Sequence, residues 1–446
     1  RFFRRDFLLW FIGVEILLGL IGGLCVPLLY LAYAYTDLVQ PVMFMLILTV
    51  GTLTGLEIPL LARVLERHYE LGDNLANVLS FDYLGALLAT LAFPFLLLPF
   101  LGVFQSSLVV GTLNLGLGFL NLWYFSGVLE LSRRRVLWMA SLTVTGFLLV
   151  LLFFSKGLLH QWSESLYSGR VIFQEETPYQ HIVMTRYKDN LSLFLDGNLQ
   201  FSSVDEYRYH EALVHIPLLA HSNPRRVLVL GGGDGLATRE LLKYPGIESI
   251  TIVDLDPAIF ELAREDKRLL RINEGSLKDP RVTTLAKDAW VFLENADRRW
   301  DTIIADLPDP NNISLARLYS RDFYRLVRRH LSENGVFVTQ ATSPYYASRA
   351  FWSIETSLRA ADFDSVTPYH TYVPSFGDWG FMAASRRNLT IKPADPQVKT
   401  RFLTRSAVAD ALSFDKDVQP EQPVRVSTLD RPRIHEYYLE GWQYWH

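Results

Sequence analysis

The chain has almost no cysteine and no excess of basic charge. Its single cysteine, Cys25, lies within an apolar run. One thiol excludes both a disulfide framework and a zinc site built from cysteines, so we expect no metal site. The 43 Lys and Arg residues are outnumbered by 47 Asp and Glu residues, which gives a formal net charge of −4. The chain therefore lacks the basic field that attracts nucleic acid, and we expect no nucleic-acid partner.

Charge of either sign is scarce in the first 160 residues, where long apolar runs take its place. Five runs are long enough to cross a lipid bilayer, which takes about 20 residues per helix. None of them has the polar face of a helix on the surface of a globular protein. We therefore predict that residues 1–160 form the transmembrane helical domain of a multi-pass protein of the cell (inner) membrane, with spans at 8–35, 42–61, 78–100, 103–125 and 136–154. Since the chain begins with Arg1 rather than Met, we expect it to be N-terminally truncated.

Residues 161–222 have the composition of a soluble protein and are rich in β-forming residues. Short apolar runs bounded by turn residues are typical of paired strands. We therefore expect a small antiparallel β unit here, followed by a helix at 206–220. Its strands are expected at 171–173, 181–187 and 191–195.

Residues 223–387 alternate between short apolar strands and helices. This alternation predicts a doubly wound parallel sheet, an α/β fold. The strands are expected at 227–230, 250–254, 282–285, 302–306 and 336–340. The remaining tail, 388–446, contains proline-rich linkers, and we predict no function for it.

A glycine-rich turn, Gly231–Gly235, follows the first of these strands. Glycines let the backbone approach a nucleotide closely, and ligands of such sheets bind at the carboxyl ends of the strands. Asp234 lies inside the turn, where a carboxylate repels a phosphate and attracts a cation. An S-adenosyl compound fits this requirement, because it carries a sulfonium and an amine and no phosphate.

Acidic residues follow the next two strands. Asp254 ends the second strand at the spacing of a residue that binds ribose hydroxyls. Asp256, just before Pro257, is instead expected to be a helix N-cap. Asp288 follows the third strand, where it could accept a hydrogen bond from an adenine amine or cap a helix.

Two carboxylates three positions apart, Asp306 and Asp309, follow the fourth strand on a loop stiffened by Pro308 and Pro310. A pair of this kind can hold a cationic amine and take a proton from it. Asp and Pro are also common in solvated turns. The position of the pair at the carboxyl edge of the sheet favours the functional interpretation.

Together these motifs resemble the spermidine synthase family of polyamine aminopropyltransferases, in its bacterial membrane-anchored form. The resemblance covers about 179–385. It rests on 179–182, Leu195-Asp196-Gly197 with Gln200, Asp205-Glu206 with Tyr209-His210-Glu211, the glycine turn and the Asp306/Asp309 pair, all in the order of the family. Within the apolar runs, 55–61 and 82–87 also resemble that branch.

The resemblance implies a Rossmann-like catalytic domain of the S-adenosylmethionine-dependent methyltransferase type, with the β unit as its N-terminal part. The implied reaction moves an aminopropyl group from decarboxylated S-adenosylmethionine, a co-substrate and not a bound cofactor, to a polyamine acceptor. Putrescine is the expected acceptor, with spermidine and methylthioadenosine as products. The family also implies a homodimer.

The resemblance implies a role for each matching residue. Asp306 matches the general base. The residues expected at the donor are Gln180, Gly231, Gly233, Asp234, Asp254, Asp288 and Ala289, and those expected at the acceptor are Gln200, Tyr209, His210, Asp309, Tyr372 and Trp379. Leu307 and Pro308 stand where the family usually has Ser or Thr, and the turn before Trp379 is longer than in soluble members. These departures leave the acceptor open among putrescine, cadaverine, spermidine and an unusual amine.

Two other functions and the side of the membrane also stay open. A methyltransferase would share the fold, although Leu230 stands where those enzymes usually place an acid. A non-catalytic polyamine sensor or transporter would explain Glu15, Glu57 and Asp82 in or near the apolar runs, because intramembrane carboxylates are often functional. The basic loops predict a cytoplasmic start, and five spans would then leave the catalytic domain outside, away from its cytosolic nucleotide.

Overall fold

The structure is a computed structural model that describes residues 7–36, 38–65, 71–125, 127, 129–167, 169–221, 223–420 and 423–443. The chain forms two compact units, Arg1–Pro178 and Tyr179–His446. The first unit contains five long helices and ends with a strand. The helices are α1 (Phe7–Tyr35), α2 (Val39–Leu65), α3 (Leu71–Ala92), α4 (Leu98–Tyr124) and α5 (Leu131–Leu166), and the strand is β1 (Arg170–Glu176).

Within the described ranges, four segments are apolar and long enough to cross a membrane. They are Phe7–Tyr35, Val39–Val64, Ala76–Tyr124 and Leu131–Ser155. The third segment is 49 residues long, enough for two crossings at about 20 residues each. Its helix is interrupted at Gly102, which has φ 66° and ψ 176°. This break falls between the third and fourth predicted spans.

Helices α1 and α4 pack closely through glycine. A Cβ on Gly111 of α4 would lie 2.5 Å from the carbonyl oxygen of Gly19 and 2.6 Å from the Cα of Gly23, both in α1. Small residues at such crossings are typical of helices that associate in lipid, where close backbone packing replaces the hydrophobic effect.

Helix α5 passes the domain boundary that we predicted at residue 160, since it continues to Leu166. Residues 161–166 contain no glycine or proline that would end a helix. The boundary between the two compact units lies further along the chain, between Pro178 and Tyr179.

The second unit begins with an antiparallel β region. Strand β2 (His181–Tyr187) pairs with β3 (Asn190–Leu195), which confirms that predicted pairing, and β3 pairs with β4 (Asn198–Ser202), a strand not predicted. The turn after β3 has Asp196 at φ 49° and Gly197 at φ 80°. Two consecutive positive φ values suit the right-handed twist of a tight hairpin.

A seven-stranded sheet follows helix α6 (Glu206–Leu218), in the order β10-β11-β9-β8-β5-β6-β7. Its strands are β5 (Arg226–Gly231), β6 (Ser249–Asp254), β7 (Val282–Ala286), β8 (Trp300–Asp306), β9 (Leu331–Gln340), β10 (Ser365–Val373) and β11 (Gly377–Ser385). The helices of this region are α7 (Leu236–Leu242), α8 (Pro257–Glu265), α9 (Lys267–Ile272), α10 (Ala289–Glu294), α11 (Ile313–Ala316), α12 (Arg321–His330), α13 (Ser348–Ala360), α14 (Arg405–Ala411) and α15 (Arg433–Trp442).

The five predicted strands form the parallel part of the sheet, and two further strands that were not predicted, β10 and β11, make the sheet mixed. Strands β5 to β9 are parallel, whereas β11 is antiparallel to both β9 and β10. The three residues between β10 and β11 form a hairpin connection, and a connection this short joins only antiparallel strands. The sheet is therefore mixed and Rossmann-like.

Strand β5 lies between β6 and β8, so the connections leave it in opposite directions. Ligands of such sheets bind outside the carboxyl ends of the strands at this switch point. Neighbouring strands are about 4.8 Å apart. Any group that follows a strand therefore has a defined place along the edge, from β7 at one end to the β10–β11 hairpin at the other.

Candidate active site

A cavity of about 850 Å³ opens at the carboxyl edge of the sheet. All fourteen residues that the sequence predicted for the site line it: Gln180, Gln200, Tyr209, His210, Gly231, Gly233, Asp234, Asp254, Asp288, Ala289, Asp306, Asp309, Tyr372 and Trp379. The cavity has the size of a pocket for one nucleoside and a small second ligand. The individual roles of these residues stay predictions.

The glycine turn is shaped by its contact with the next strand. Gly231 pairs with Asp306 across β5 and β8. It has φ 79°, and a Cβ there would lie 2.0 Å from the carbonyl oxygen of Asp306. Only glycine can adopt this positive φ without strain and also leave the space that a Cβ would fill. The turn and the predicted base are therefore held in direct backbone contact.

Asp254 fixes the other side of the glycine turn. One carboxylate oxygen accepts the N–H of Gly233 at 3.1 Å, and the other accepts the N–H of Asp256 at 3.2 Å. Burial raises the pKa of Asp254 to about 6. Asp256 caps α8 by accepting the N–H of Ala258, as predicted, and its second oxygen accepts from the Gln180 amide at 3.0 Å. Gln180 is thus tied to the β6 side of the cavity.

Asp288 serves as a helix cap and lines the cavity at the same time. One oxygen accepts the N–H groups of Trp290 and Val291 at the start of α10, and the other pairs with Arg317. The cap interpretation is therefore confirmed. Both Asp288 and the adjacent Ala289 still face the cavity beyond β7.

Asp306 ends β8 and accepts a hydrogen bond from the Tyr209 hydroxyl at 2.7 Å. Burial raises the pKa of Asp306, while the charge of His210 and the Tyr209 hydrogen bond act in the opposite direction. The carboxylate is therefore fixed in orientation and more basic than an exposed one, which suits a general base.

His210 carries the positive charge of the site. Its Nδ1 lies 2.9 Å from Oε2 of Glu206 and 2.8 Å from the main-chain oxygen of the same residue. Burial lowers the pKa of His210, but Glu206, Asp234 and Asp306 outweigh this effect and raise the pKa to about 9. At neutral pH an imidazolium therefore lies among carboxylates, and sequence reasoning did not foresee this charge.

Asp234 completes this cluster. Burial raises the pKa of Asp234 to about 6, the charge of His210 lowers it, and the charge of Asp306 raises it. One of its oxygens accepts the N–H of Leu236 at the start of α7 at 2.9 Å. Its position next to the cavity leaves the carboxylate able to bind a cation.

A buried network behind the cavity holds Glu206. Both terminal nitrogens of Arg239 donate to its carboxylate, at 2.9 and 3.0 Å. Arg239 Nε also contacts Glu240 at 2.9 Å, and Glu240 lies 2.7 Å from Nε2 of His215. Helices α6 and α7 are therefore joined by paired charges directly behind His210.

Asp309 lies on the loop after β8 and is held by residues at and just after the end of the neighbouring strand, β9. The Gln340 amide donates to Oδ1 at 3.1 Å, and the Thr342 hydroxyl donates to Oδ2 at 3.3 Å. Thr342 has φ 54°, a rare conformation for a β-branched residue. Burial raises the pKa of Asp309 to about 6, although hydrogen bonds from Gln340, Tyr438 and Thr342 oppose the effect.

Sequence reasoning missed four of the residues that line or support the end of the cavity around Asp309: Gln340, Thr342, Tyr438 and Trp442. Gln340 ends a strand that was predicted, so its place at the carboxyl edge could have marked it. Tyr438 and Trp442 belong to the tail, and no sequence motif links them to Asp309.

The β10–β11 hairpin forms the far wall. Trp379 packs against Phe376 with ring centres 5.0 Å apart and ring planes tilted by 38°, and exposed Tyr372 also lines the cavity. On the β4 side, the Gln200 amide donates to the main-chain oxygen of Asn198 at 3.2 Å. Aromatic faces of this kind suit an alkyl chain that carries an ammonium.

The charges of the cavity predict its ligands. Six carboxylates line it together with the cations of His210 and Arg317: Asp196, Asp234, Asp254, Asp288, Asp306 and Asp309. Such an excess of negative charge attracts cationic ligands and repels phosphate. Within it, a base of raised pKa lies beside a second carboxylate, an arrangement that can deprotonate a bound amine.

Comparison with known proteins agrees with this chemistry. Residues 206–393 match the model of the spermine/spermidine synthase domain. The polyamine aminopropyltransferase of Leptospira interrogans is 40% identical over 444 residues, which are 99% of this chain and 88% of that protein. The polyamine aminopropyltransferase of Mycobacterium tuberculosis is 43% identical over 449 residues, covering 97% of this chain and 84% of that protein.

Solved structures show the same fold. The crystal structure of spermidine synthase from Thermotoga maritima covers 56% of this chain and 86% of its own, with a TM-score of 0.50 and 24% identity. A spermidine synthase in complex with the transition-state analogue AdoDATO gives the same TM-score, 0.50, and the same identity, 24%.

Proposed function

We propose that the chain, which belongs to the spermine/spermidine synthase family and is an aminopropyltransferase, transfers the aminopropyl group of decarboxylated S-adenosylmethionine to putrescine. The products are spermidine and methylthioadenosine. The observation that carries the proposal is that Asp234, Asp306 and Asp309 line one cavity together with His210, whose pKa the charges of Asp234 and Asp306 help to raise.

We assign the two substrates from the order of groups along the sheet edge. Asp288 follows β7, Asp254 ends β6 and Asp234 follows β5, so the adenine, the ribose and the aminopropyl ammonium occupy these places in turn. The acceptor then lies beyond β8, between the Asp306/Asp309 pair and the β10–β11 hairpin. In this assignment, the reacting carbon of the donor lies next to Asp306.

The reaction requires a neutral amine. An alkylamine has a pKa near 10 and is protonated in neutral water. Asp306 takes the proton, the nitrogen lone pair attacks the methylene beside the sulfonium, and the C–S bond breaks as the C–N bond forms. Methylthioadenosine leaves with the electron pair of the broken bond. Asp309 binds the amine, and the Tyr209 hydrogen bond aims Asp306.

An acceptor panel tests the assignment of putrescine. The purified full chain would be given decarboxylated S-adenosylmethionine with putrescine, cadaverine or spermidine, and methylthioadenosine would be measured. We expect the highest kcat/KM with putrescine. A higher value with another amine would contradict this acceptor and leave the transferase standing. Absence of methylthioadenosine with every amine would overturn the function, and a methylated product from S-adenosylmethionine would support the methyltransferase alternative.

We also propose that the first unit crosses the cell membrane several times. Its apolar segments present large side chains outward, among them Phe81, Phe95 and Phe153, which are 75%, 76% and 82% exposed. Such surfaces are stable in lipid and are rare on proteins in water. We expect the chain to stay in the membrane pellet after alkaline carbonate extraction. Release into the supernatant would contradict the proposal.

Chemical labelling can determine on which side of the membrane the second unit lies. Asp189 is in the β2–β3 turn and its side chain is fully exposed, so Asp189→Cys in a Cys25→Ser background gives one accessible thiol. Labelling by an impermeant maleimide in intact cells would place the unit outside. Protection until the cells are lysed would place it in the cytoplasm. The homodimer implied by the family stays a prediction.

A further inference from the structure

The C-terminal helix α15 contacts the catalytic loop with one face. Nδ1 of His435 lies 3.0 Å from the carbonyl oxygen of Pro310, the hydroxyl of Tyr438 donates to Asp309, and Trp442 lines the cavity. Positions three, four and seven apart share a face of a helix. A single face of α15 therefore touches the loop that carries Asp309 and closes the cavity beside it.

Helix α15 is firmly packed in this position. Ile434 and Tyr437 are buried in the core of the second unit. Arg349 lies over the Tyr437 ring at 4.2 Å and also pairs with Glu440. A Cβ on Gly441 would lie 2.7 Å from the Cα of Ala347. The close approach needs glycine, and it sets Trp442 in place over the cavity.

The residues of α15 that line the cavity, Tyr438 and Trp442, contact its acceptor half. Trp442 packs against Tyr346 with ring centres 5.2 Å apart, in the segment that follows β9. Asp254 and Asp288 lie beyond β6 and β7, on the other side of the switch point. Through Tyr438 and Trp442, helix α15 therefore borders the space left for the amine.

We propose that α15 determines acceptor specificity, with Tyr438 positioning Asp309 and Trp442 limiting the length of the amine. This inference rests on the proposed transferase function. The helix lies beyond residues 206–393, which match the family domain. The ligand is an α,ω-diamine, whose methylenes pack on the aromatic rings while an ammonium faces Asp309.

The first test removes one hydroxyl. Tyr438→Phe keeps the ring and deletes the hydrogen bond to Asp309, a bond to a charged group. We expect KM for putrescine to rise about tenfold, while KM for the donor stays unchanged and kcat changes less than about twofold. The matched control is Tyr437→Phe, whose hydroxyl accepts from the Arg425 N–H at 3.4 Å away from the cavity. Equal KM values for putrescine in both variants would overturn the positioning role.

The second test removes the indole ring of Trp442 from the lining of the cavity. Trp442→Ala should raise the ratio of kcat/KM for spermidine to that for putrescine by about tenfold or more, and Trp442→Phe should restore most of the discrimination. Exposed Leu439 on the same helix provides the control Leu439→Ala. An unchanged acceptor ratio in an active Trp442→Ala variant would overturn the proposal. If that variant fails to fold, the Phe variant and the Tyr438→Phe result decide. A wild-type chain without any methylthioadenosine would instead refute the function itself.

Discussion

The carboxylate of Asp306 is subject to two opposing influences, and their balance suits a base. Burial makes the carboxylate more basic, whereas the Tyr209 hydroxyl and the His210 imidazolium stabilise its charged form. A base that is too weak would not take a proton from an amine, and one that is already protonated could not. The two neighbours oppose the effect of burial on the pKa of Asp306, and Tyr209 orients its carboxylate before the substrates arrive.

The carboxylates of the cavity predict a specific pH dependence. Burial raises the pKa of Asp234, Asp254 and Asp309 to about 6 each. Asp234 binds the ammonium of the donor and Asp309 that of the acceptor only when each is ionised, so kcat/KM for both substrates falls as the pH drops through about 6. Bound cations lower the pKa of neighbouring acids, so the acid limb of kcat lies at lower pH than that of kcat/KM. Initial rates between pH 5 and 8 test this order, and the reverse order would contradict it.

Gly231 couples the nucleotide turn to the base. Gly231→Ala forces a Cβ to within 2.0 Å of the carbonyl oxygen of Asp306, so the turn and the base must move apart. Displacement of a catalytic group by about 1 Å can cost about 100-fold in rate, and we expect a loss of this size in kcat. The matched control is Gly275→Ala, which has a similar φ of 68° and open space around its Cβ. Equal activities of the two variants would show that the contact is unimportant.

At the scale of elements, helices α6 and α7 are joined by buried charges. Arg239 pairs with both Glu206 and Glu240, and all three side chains are at least nine-tenths buried. Removal of one partner from a buried ion pair leaves the other uncompensated, which is far more costly than loss of an exposed pair. The network therefore stabilises the helix that presents Tyr209 and His210.

Arg239→Met tests this network. The variant leaves two carboxylates buried without their partner, so we expect a loss of about 3 kcal/mol and a fall in Tm of about 5–10 °C. Arg225→Met is the control, because its pair with Glu248 is 62% and 60% exposed and contributes about 0–1 kcal/mol. Thermal unfolding in detergent measures both. A fall in Tm no larger than that of the control would contradict the account.

Several elements could be predicted because their signals are local. Strands β2 and β3 and the parallel strands β5 to β9 follow apolar runs bounded by turn residues. Strands β10 and β11 were not predicted, so the antiparallel part of the sheet was missed. The length of α5 was underestimated because the end of the apolar run was taken as the end of the helix.

At the scale of the molecule, the predicted site residues come together because each follows a strand that ends at the same edge. Asp254, Asp288 and Asp306 are far apart in sequence, and the parallel sheet alone brings them to one cavity. Tyr438 could not be predicted in this way. Its contact with Asp309 depends on how the tail returns across the sheet, and that path is set by packing at Gly441 and Ile434.

The most direct test of the central claim is the release of methylthioadenosine by the full chain and by Asp306→Asn. With decarboxylated S-adenosylmethionine and putrescine, we expect amine-dependent release that falls about 100- to 10,000-fold in the variant, while binding of the donor is retained. Asp189→Asn, a change at an exposed carboxylate in the same unit, should leave the rate unchanged. Release that is independent of the amine, or that survives Asp306→Asn, would contradict the account.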